Sequence, residues 1–520
     1  MVKEVSFFLT PEASADERQI KKAAARRAGV DPARITDFRI IRKSIDARHK
    51  AIKVNFTVEL STGEGDHIRE IEPLRLRVVS KADEVIIIGA GPAGLFAALR
   101  LCELGLRPVI LERGRDVSER KKDIARISRE HVVDSDSNYC FGEGGAGTFS
   151  DGKLYTRSQK RGNNLRVLEL FRHHGAPENI LFESHPHIGS DKLPAIISSI
   201  RKSILDAGGL ILFNQKVTDL ICDDTGIKGV RTTGGENFLS ENVIAATGHS
   251  ARDIYELFQR RGVAMAFKPF AMGVRVEHPQ ELIDRIQYHG EDRGNYLPAA
   301  AYSLVQQVNG RGVWSFCMCP GGFIIPAATS QEEVVVNGMS ASGRNSPYAN
   351  SGIVVEIRRE DLIDFSASGE MAGLELQRIV ERMAWKQGGC TQSAPAQRLA
   401  DFIDGRFSPS LPKASYFPGI ISSALHEWLP GFMSTALREG FRLFGRKMKG
   451  FVTNEAVVAG VESRTSSPLR VLRDDISLES VNIKGLYPCG EGAGYAGGIV
   501  SSAVDGMRVA EAIAAKKGLL

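Results

Sequence analysis

Three glycines have the spacing of a dinucleotide-binding turn. Gly89, Gly91 and Gly94 form a G-x-G-x-x-G pattern directly after Glu84–Ile88, a short and almost wholly apolar run. In such a turn the first glycine permits a tight bend, the second lets a pyrophosphate approach the backbone, and the third lets a helix pack on the strand. The following residues have helical composition, and the free N–H groups of a helix N-terminus bind phosphates. The pattern therefore predicts a dinucleotide site.

An acidic residue lies where such a site needs one. Glu112 ends a second apolar run, Pro108–Leu111, so strand, helix and strand complete a βαβ unit. Its carboxylate is suited to accept both hydroxyls of an adenosine ribose, and its charge disfavours a 2′-phosphate. The other predicted contacts at this turn are Pro92, Ala93 and Arg113.

The glycine pattern alone is weak, because the chain contains it three times. The second copy begins at Gly142 and the third at Gly492. Neither is followed by a helix, a strand and an acid at the required distance, so only the first copy is a fingerprint.

Three strings resemble motifs of the two-dinucleotide-binding-domain flavoproteins, the class that includes glutathione reductase and fumarate reductase. They are the fingerprint, the apolar strand with Ala-Thr-Gly at 243–248, and residues 485–492, where an acid follows glycine. In that class the last acid binds the flavin ribityl chain and is usually Asp, whereas this chain has Glu491. The resemblance implies FAD and a split FAD-binding domain. The residues predicted to contact FAD beyond the fingerprint are Val217, Thr247, Gly248, Gly490, Glu491, Gly497, Gly498 and Ile499.

Four longer strings resemble a family of uncharacterised bacterial FAD-dependent dehydrogenases. They lie at 44–48, 141–154, 315–322 and 461–468, so the resemblance spans nearly the whole chain. It implies a fold and a cofactor but no substrate.

Two glycine-rich segments are predicted to approach the flavin. A helix is expected to begin at Gly498, and its positive dipole end would stabilise negative charge on a reduced flavin. The loop from Gly142 to Lys153 resembles the second FAD loop of the fumarate-reductase branch, with contacts from Gly144, Gly145 and Gly147. Lys153 is either close to the flavin or substrate, or an exposed loop lysine.

Two histidines and three arginines are the candidates for substrate chemistry. His185 and His187 flank a proline shortly before Asp191, a predicted helix N-cap. A neutral imidazole can act as acid or base during hydride transfer, although a structural role is the alternative. Arginines can clamp a carboxylate through two parallel hydrogen bonds. The candidates for this are Arg252, Arg275 and Arg464.

Cys317 and Cys319 form a C-x-C pair beside a glycine-rich turn. On a strand the two side chains point the same way, but bridging residues so close together strains a disulfide. Buried apolar cysteines and a redox-active pair are the two interpretations. No second C-x-C or C-x-x-C completes a tetrahedral set, so the sequence predicts no metal site.

The order of predicted elements indicates an α/β fold with an α+β insert. We expect a split Rossmann-like FAD-binding domain, an inserted substrate domain and a small N-terminal β-α-β-β domain. The predicted ranges are 1–66 for the N-terminal cap, 81–266 and 450–520 for the FAD-binding domain, and 267–449 for the insert. A β-meander of four strands is expected between 210 and 247, and a strand at 333–336.

Composition indicates a globular protein of the cytoplasm. Of 520 residues 42% are hydrophobic and 25% charged, no secretory signal is recognisable, and no apolar stretch approaches a membrane span. Seven scattered cysteines favour a reducing compartment. Residues 1–56 carry 13 Lys and Arg against 7 Asp and Glu, which indicates either an ordinary solvated surface or a docking surface for an acidic partner.

The predicted function is that of an FAD-dependent oxidoreductase or dehydrogenase, in which hydride moves through flavin N5 to or from a small-molecule substrate. No second fingerprint exists, so NADH or NADPH is expected at most as a transient donor. The alternatives are a flavin-containing RNA-associated protein that docks through its basic N-terminal domain, and a non-catalytic flavin redox sensor.

Overall fold

The computed structural model describes residues 2–62, 71–156, 162–290 and 292–520. The strands are β1 (Val2–Leu9), β2 (Asp37–Asp46), β3 (Lys53–Ser61), β4 (Glu84–Ile88), β5 (Arg107–Leu111), β6 (Leu210–Leu212), β7 (Val217–Asp223), β8 (Gly226–Thr232), β9 (Asn237–Leu239), β10 (Val243–Ala245), β11 (Met265–Phe267), β12 (Phe270–Pro279), β13 (Val305–Val308), β14 (Arg311–Cys319), β15 (Phe323–Pro326), β16 (Val336–Met339), β17 (Tyr348–Ile357), β18 (Ala394–Arg398), β19 (Ile420–Ser422), β20 (Val457–Glu462), β21 (Leu469–Val471) and β22 (Leu486–Pro488). The α-helices are α1 (Glu17–Ala28), α2 (Pro92–Leu104), α3 (Val117–Glu130), α4 (Asn164–His173), α5 (Leu193–Asp206), α6 (Arg252–Arg260), α7 (Gln280–Tyr288), α8 (Ala372–Gln387), α9 (Leu399–Asp404), α10 (Leu425–Trp428), α11 (Gly431–Lys447) and α12 (Ile499–Lys516).

The N-terminal unit is an antiparallel sheet of order β1-β3-β2, covered by α1. Alternate residues of β3, from Val54 to Leu60, are buried against Ile20 and Ala24 of the helix. The predicted β-α-β-β order is therefore confirmed, and β2 runs on to Asp46. Residues 63–70, predicted to end this unit and begin a linker, lie outside the described residues.

A five-stranded parallel sheet of order β22-β10-β4-β5-β6 carries the fingerprint. β4 and β5 are almost fully buried because α2, α5 and α12 cover one face, and residues of β7, β8 and α6 cover the other. The last strand, β22, pairs with β10, so residues from the two ends of the predicted split domain share one sheet. This confirms the Rossmann-like α/β fold class.

The expected four-strand meander is wrong. β6 and β10 belong to the parallel sheet, whereas β7, β8 and β9 form a separate antiparallel sheet. A short apolar run looks alike in both kinds of sheet, so the residues did not separate the two arrangements. The strand expected at 333–336 likewise begins only at Val336.

The third large sheet has seven strands in the order β13-β14-β17-β12-β20-β18-β19. Its core packs against α8 and α11. β20 pairs with β12 and β18, so this sheet extends beyond the predicted boundary at residue 449. The domain boundaries themselves stay predictions.

The helices α2 and α12 cross in close contact beneath the fingerprint. A Cβ on Gly506 of α12 would lie 2.1 Å from the carbonyl oxygen of Ala93, so only glycine permits this approach. In the described part of the chain, none of the helices is both long and apolar enough to cross a membrane.

Candidate functional site

A cleft opens at the carboxyl ends of β4, β5 and β10, which is where open parallel sheets bind ligands. It contains about 1180 Å³ of empty space, part of it open to solvent. Residues from both sequence segments of the predicted FAD-binding domain line this cleft. The predicted FAD contacts among them are Gly89, Gly91, Pro92, Ala93, Glu112, Arg113, Gly145, Gly147, Val217, Thr247, Gly248, Glu491, Gly498 and Ile499.

The fingerprint glycines meet the steric demands that the sequence predicted. Gly89 has φ +103°, and a Cβ on it would lie 2.6 Å from the carbonyl oxygen of Ala246. A Cβ on Gly94 would lie 2.0 Å from the carbonyl oxygen of Gly89. Gly145 of the glycine-rich loop approaches Gly91 so closely that its Cβ would lie 3.1 Å from the Gly91 Cα. These contacts form a side-chain-free cradle at the N-terminus of α2, which fits the pyrophosphate of a dinucleotide.

Glu112 is buried and joins three loops through its carboxylate. Oε2 accepts a hydrogen bond from the Ala90 N–H at 2.8 Å, and Oε1 accepts from the N–H groups of Gly114 at 2.9 Å and Gly142 at 3.0 Å. An ionised carboxylate offers about four acceptor positions, so three are occupied. Glu112 can still contact a ribose, but its carboxylate also accepts hydrogen bonds that connect three loops around the cleft.

Arg113 forms the next part of this wall. Its guanidinium lies 4.5 Å from the ring centroid of Phe141, pairs with Asp253, and approaches Asp136 at 3.7 Å. The arginine is therefore held in place by an aromatic face and two carboxylates at the edge of the cleft.

Five predicted FAD contacts do not line the cleft, and four of them have a structural role elsewhere. Gly94 lies under the fingerprint turn, and a Cβ on Gly144 would meet Thr148 Oγ1 at 1.9 Å. Gly490 donates its N–H to Asp505 at 2.8 Å. Lys153 contacts two sulfur atoms, as described below.

Sequence reasoning missed several residues of the cleft, of which His249 is the most informative. It follows directly after the Thr247-Gly248 motif, and its Nε2 lies 3.7 Å from Glu491 Oε1. Burial, with Arg464 and Lys268 nearby, lowers the pKa of His249 to about 3, and burial raises the pKa of Glu491 to about 7. The other missed lining residues are Ile88, Leu111, Cys140, Phe141, Ala146, Ser150, Gln215, Ala246, Ser250, Ala251, Ile254, Cys489 and Ser502.

A second cavity adjoins the cleft at Gly498, which lines both. It contains about 1420 Å³ of empty space, including open solvent, and the N-terminus of α12 forms one wall. Gly497, the remaining predicted FAD contact, lines this cavity instead of the cleft. Its aromatic and sulfur-bearing lining residues are Tyr155, Trp314, Phe316, Cys317 and Tyr495.

His185 and His187 line neither cavity. The His187 Nε2 is 3.3 Å from the Ser342 carbonyl oxygen, and the His185 ring lies 4.8 Å from the ring of Tyr155. Burial and the nearby Arg344 lower the pKa of both imidazoles. Their predicted role in catalysis has no support from this placement.

Asp191 does not cap a helix. α5 begins after Lys192 without a side-chain cap, and the Asp191 carboxylate accepts hydrogen bonds from the Ser342 N–H at 2.6 Å and Oγ at 2.7 Å. This carboxylate connects two distant loops, so the predicted N-cap is wrong.

The three candidate arginines are engaged in buried ion pairs. Arg464 and Arg252 both pair with Glu381, at 2.9 and 2.8 Å. Arg275 makes two hydrogen bonds to Glu462, at 2.7 and 2.9 Å. This placement gives no support to the predicted carboxylate clamp, because these guanidinium groups already have carboxylate partners inside the protein.

Cys317 and Cys319 are free thiols that share a lysine. The Nζ of Lys153 donates to Cys317 Sγ at 3.6 Å and Cys319 Sγ at 3.4 Å, and it lies 3.4 Å from Asp151 Oδ2. Lys153 is therefore a partner of the cysteine pair and not a free loop lysine. Within the described ranges, no group of three or more His, Cys, Asp and Glu side chains is arranged to hold a metal ion.

Comparisons with known proteins place the chain in a family. Residues 269–465 match the family "FAD-dependent protein, C-terminal domain-like", residues 82–128 match "FAD binding domain", and residues 1–61 match a domain of unknown function. An uncharacterised protein from Clostridium beijerinckii is 40% identical over 520 aligned positions, covering 96% of each chain.

More distant similarities extend to enzymes and solved structures. A tRNA uridine 5-carboxymethylaminomethyl modification enzyme from Alkaliphilus metalliredigens is 28% identical over 168 positions, or 32% of this chain and 24% of that protein. Glycine oxidase from Bacillus cereus has a TM-score of 0.32 at 14% identity, with 84% of this chain and 96% of that chain covered. The flavin-dependent brominase Bmp2 has a TM-score of 0.35 at 16% identity, with coverages of 84% and 80%. On the family matches and the C. beijerinckii relative, this chain belongs to a family of FAD-dependent proteins, and FAD is its cofactor.

Proposed function

We propose that this protein is an FAD-dependent oxidoreductase that exchanges a hydride with a small-molecule substrate held in the second cavity. The observation that carries the proposal is that the dinucleotide cleft and the second cavity meet at Gly498. A substrate in the second cavity would thus lie next to the end of the cofactor site. FAD, when bound, supplies a ring that accepts or gives a hydride.

Different residues of the cleft would bind different parts of FAD. The turn from Gly89 to Gly94 and the first turn of α2 would bind the pyrophosphate, and Glu112 the adenosine ribose. Glu491, which lines the same cleft, would accept a ribityl hydroxyl. Gly498, which has no side chain, would meet the flavin with its backbone, and Ile499 would lie beside it.

The N-terminus of α12 faces the junction of the two cavities. Gly498 precedes the first turn without any side-chain cap, and Gly498, Ile499 and Val500 line the cleft and the second cavity where they meet. A helix N-terminus is equivalent to roughly half a positive charge, which stabilises negative charge nearby. This end of α12 therefore favours the reduced, anionic form of a bound ring.

The His249–Glu491 pair can hold a proton beside the cofactor. With a pKa of about 7, Glu491 exchanges a proton near neutral pH, whereas His249 stays neutral. A proton held on a Glu491 oxygen can compensate for charge that develops in the cleft.

The second cavity supports an organic substrate with a planar or apolar part. Trp314, Phe316 and Tyr495 give it aromatic walls, and Arg508 contributes a positive group that lies 4.0 Å from Asp505. Aromatic side chains with a few polar groups are typical of small-molecule sites. NADH or NADPH is included in the proposal as a transient electron donor.

The first test is a visible absorbance spectrum of the FAD-loaded protein, followed anaerobically as NADH and then NADPH is added. We expect a flavin spectrum that one nucleotide bleaches and that an organic acceptor restores. Trp314→Ala should weaken the response to substrate and leave the flavin spectrum intact, whereas Trp385→Ala, outside both cavities, is the matched control. A flavin that no physiological donor and acceptor pair reduces and re-oxidises would overturn the proposal.

A second candidate, an RNA-associated flavoprotein, is favoured by the partial similarity to the tRNA-modifying enzyme and by the basic N-terminal unit. α1 exposes Lys22, Arg26 and Arg27. If RNA docks here, changing all three to Gln should abolish an affinity for tRNA that falls steeply with salt. Binding that is absent, or unchanged in this variant, would remove the candidate.

A further inference from the structure

We propose that Cys317 and Cys319 form a dithiol that reduces disulfides, with Cys317 as the attacking thiolate and Cys319 as the resolving thiol. This activity is separate from the hydride transfer proposed above, and its chemistry requires no cofactor.

The two thiols lie side by side. They flank Met318 at the end of β14, where the pairing with β17 shifts between Phe316 and Cys319. Cys317 has φ +46°, the left-handed region that non-glycine residues seldom adopt, and such backbone geometry concentrates at functional sites. Both sulfurs lie within 3.6 Å of one lysine nitrogen, and the Cys319 thiol donates to the carbonyl oxygen of Cys317 at 3.3 Å.

Accessibility separates the roles of the two residues. Cys317 is partly exposed and lines the second cavity, whereas Cys319 is fully buried behind it. A molecule that enters the cavity can therefore reach Cys317 directly, and it reaches Cys319 only through Cys317.

The charge around the pair favours a thiolate on Cys317. The adjacent Cys319 side chain lowers the pKa of the Cys317 thiol well below its usual value, and Lys153 and Arg275 add to this effect against burial. The adjacent Cys317 side chain, with burial, raises the pKa of Cys319. Burial opposes the charged form of Lys153, but the two sulfurs and Asp151 outweigh it and raise the lysine pKa. The charged groups that face Cys317 are Lys153, Asp151, Arg275, Glu462 and Glu491.

The reaction balances without a further reagent. The Cys317 thiolate attacks one sulfur of a disulfide, forming a mixed disulfide, and the other sulfur leaves with the bonding electron pair and takes a proton from solvent. Cys319 then attacks the Cys317 sulfur, forms the Cys317–Cys319 bond and expels the second thiolate, to which its proton passes. The dithiol is oxidised by two electrons, and the external disulfide is reduced to two thiols.

Glutathione disulfide is the probe that tests the proposal. The experiment uses the reduced, FAD-loaded full chain in a Cys222→Ser, Cys390→Ser background, because these two thiols are exposed and would also react. Peptide mass spectrometry should show a Cys317–Cys319 disulfide and no retained glutathione. In the Cys319→Ser variant the glutathione should stay on Cys317. In the Cys317→Ser variant the remaining Cys319 should not react with glutathione disulfide.

Substitution of Lys153 tests whether Cys317 is an activated thiolate or only a cysteine packed against Cys319. Lys153→Met should slow alkylation of Cys317 by iodoacetamide about tenfold at pH 6.5, because the ammonium that stabilises the thiolate is removed. Lys192→Met, an exposed lysine on the nearby loop, should leave the rate unchanged. The flavin spectrum reports whether each variant is folded.

Two results would overturn the proposal. One is glutathione that stays on Cys317 in the presence of Cys319. The other is alkylation of Cys317 at pH 6.5 that is no faster than that of free glutathione. If Cys317→Ser loses its flavin spectrum, the Cys319→Ser trap and the Lys153→Met rate still decide the outcome.

Discussion

Gly94 packs so tightly against Gly89 that a Cβ at residue 94 would lie 2.0 Å from the Gly89 carbonyl oxygen. The contact sets how closely α2 approaches β4, and with it the position of the N–H groups that face the cleft. The fingerprint is thus a packing constraint as well as a binding motif.

Gly94→Ala should therefore lower FAD affinity at least tenfold, equivalent to about 1.4 kcal/mol, since backbone must move to admit the methyl group. FAD titration followed by flavin fluorescence measures this. Gly234→Ala is the matched control, because a Cβ there meets nothing within 4 Å. Equal affinities for the two variants would show that the cleft tolerates the displaced helix.

Glu112→Gln should destabilise the apo-protein by about 1–3 kcal/mol, because an amide nitrogen cannot accept the backbone hydrogen bonds that a carboxylate oxygen accepts. Urea unfolding at pH 7 measures the change. Glu130→Gln removes an exposed partner of Arg126 and should cost at most about 1 kcal/mol. A loss no larger than this control would mean that the three loops do not depend on Glu112.

Glu381→Gln should destabilise the protein by about 3–5 kcal/mol at pH 7, because it removes a fully buried carboxylate and leaves Arg252 and Arg464 to share Glu333. Glu332→Gln, which removes an exposed partner of Arg382, should have little effect. Chemical unfolding of both variants provides the comparison.

The same variant has a defined pH dependence. Burial favours the neutral form of Glu381, but Arg252 and Arg464 outweigh it and lower its pKa to about 2. A lowered pKa gives stability that is complete above the unfolded value of about 4.5 and is lost as the pH falls through the folded value. The difference between wild type and Glu381→Gln should therefore shrink as the pH falls from 5 to 3, and a difference that stayed constant would contradict the ion pair.

The stability difference between wild type and Glu491→Gln should change with pH in the opposite direction. Burial raises the pKa of Glu491 to about 7, so the folded apo-protein resists its ionisation. The stability that wild type has below pH 4.5 is lost as the pH rises to 7, and the neutral variant avoids this loss. We expect equal stabilities at pH 4 and an advantage of about 2–3 kcal/mol for Glu491→Gln at pH 8, measured by urea unfolding without FAD. A variant less stable than wild type at pH 8 would contradict it.

The sequence predicted those parts of the site that are local in the chain. β4, the turn at Gly89 and Glu112 lie within a single βαβ unit, so apolar patterning and glycine spacing defined them together. The motif at Thr247 also marked its strand end, but nothing in its pattern pointed to the neighbouring His249.

Side-chain contacts between residues that are distant in the chain could not be predicted from the sequence. Arg464 was interpreted as a substrate clamp, but its partner Glu381 lies 83 residues earlier in the chain. Lys153 and Cys319 are 166 residues apart, so their contact depends on how a loop of the parallel sheet meets a strand of the seven-stranded one. Neither pairing has a local signature, because side-chain charge alone does not identify a partner.

The pairing of β10 with β22 has a consequence for synthesis of the protein. A ribosome makes β4 and the fingerprint early, but the sheet next to them stays incomplete until Leu486–Pro488 has emerged. Glu491 and Gly498, which line the cleft, emerge later still. A nascent chain that carries an intact fingerprint but has not yet exposed these residues therefore has only part of its cofactor site.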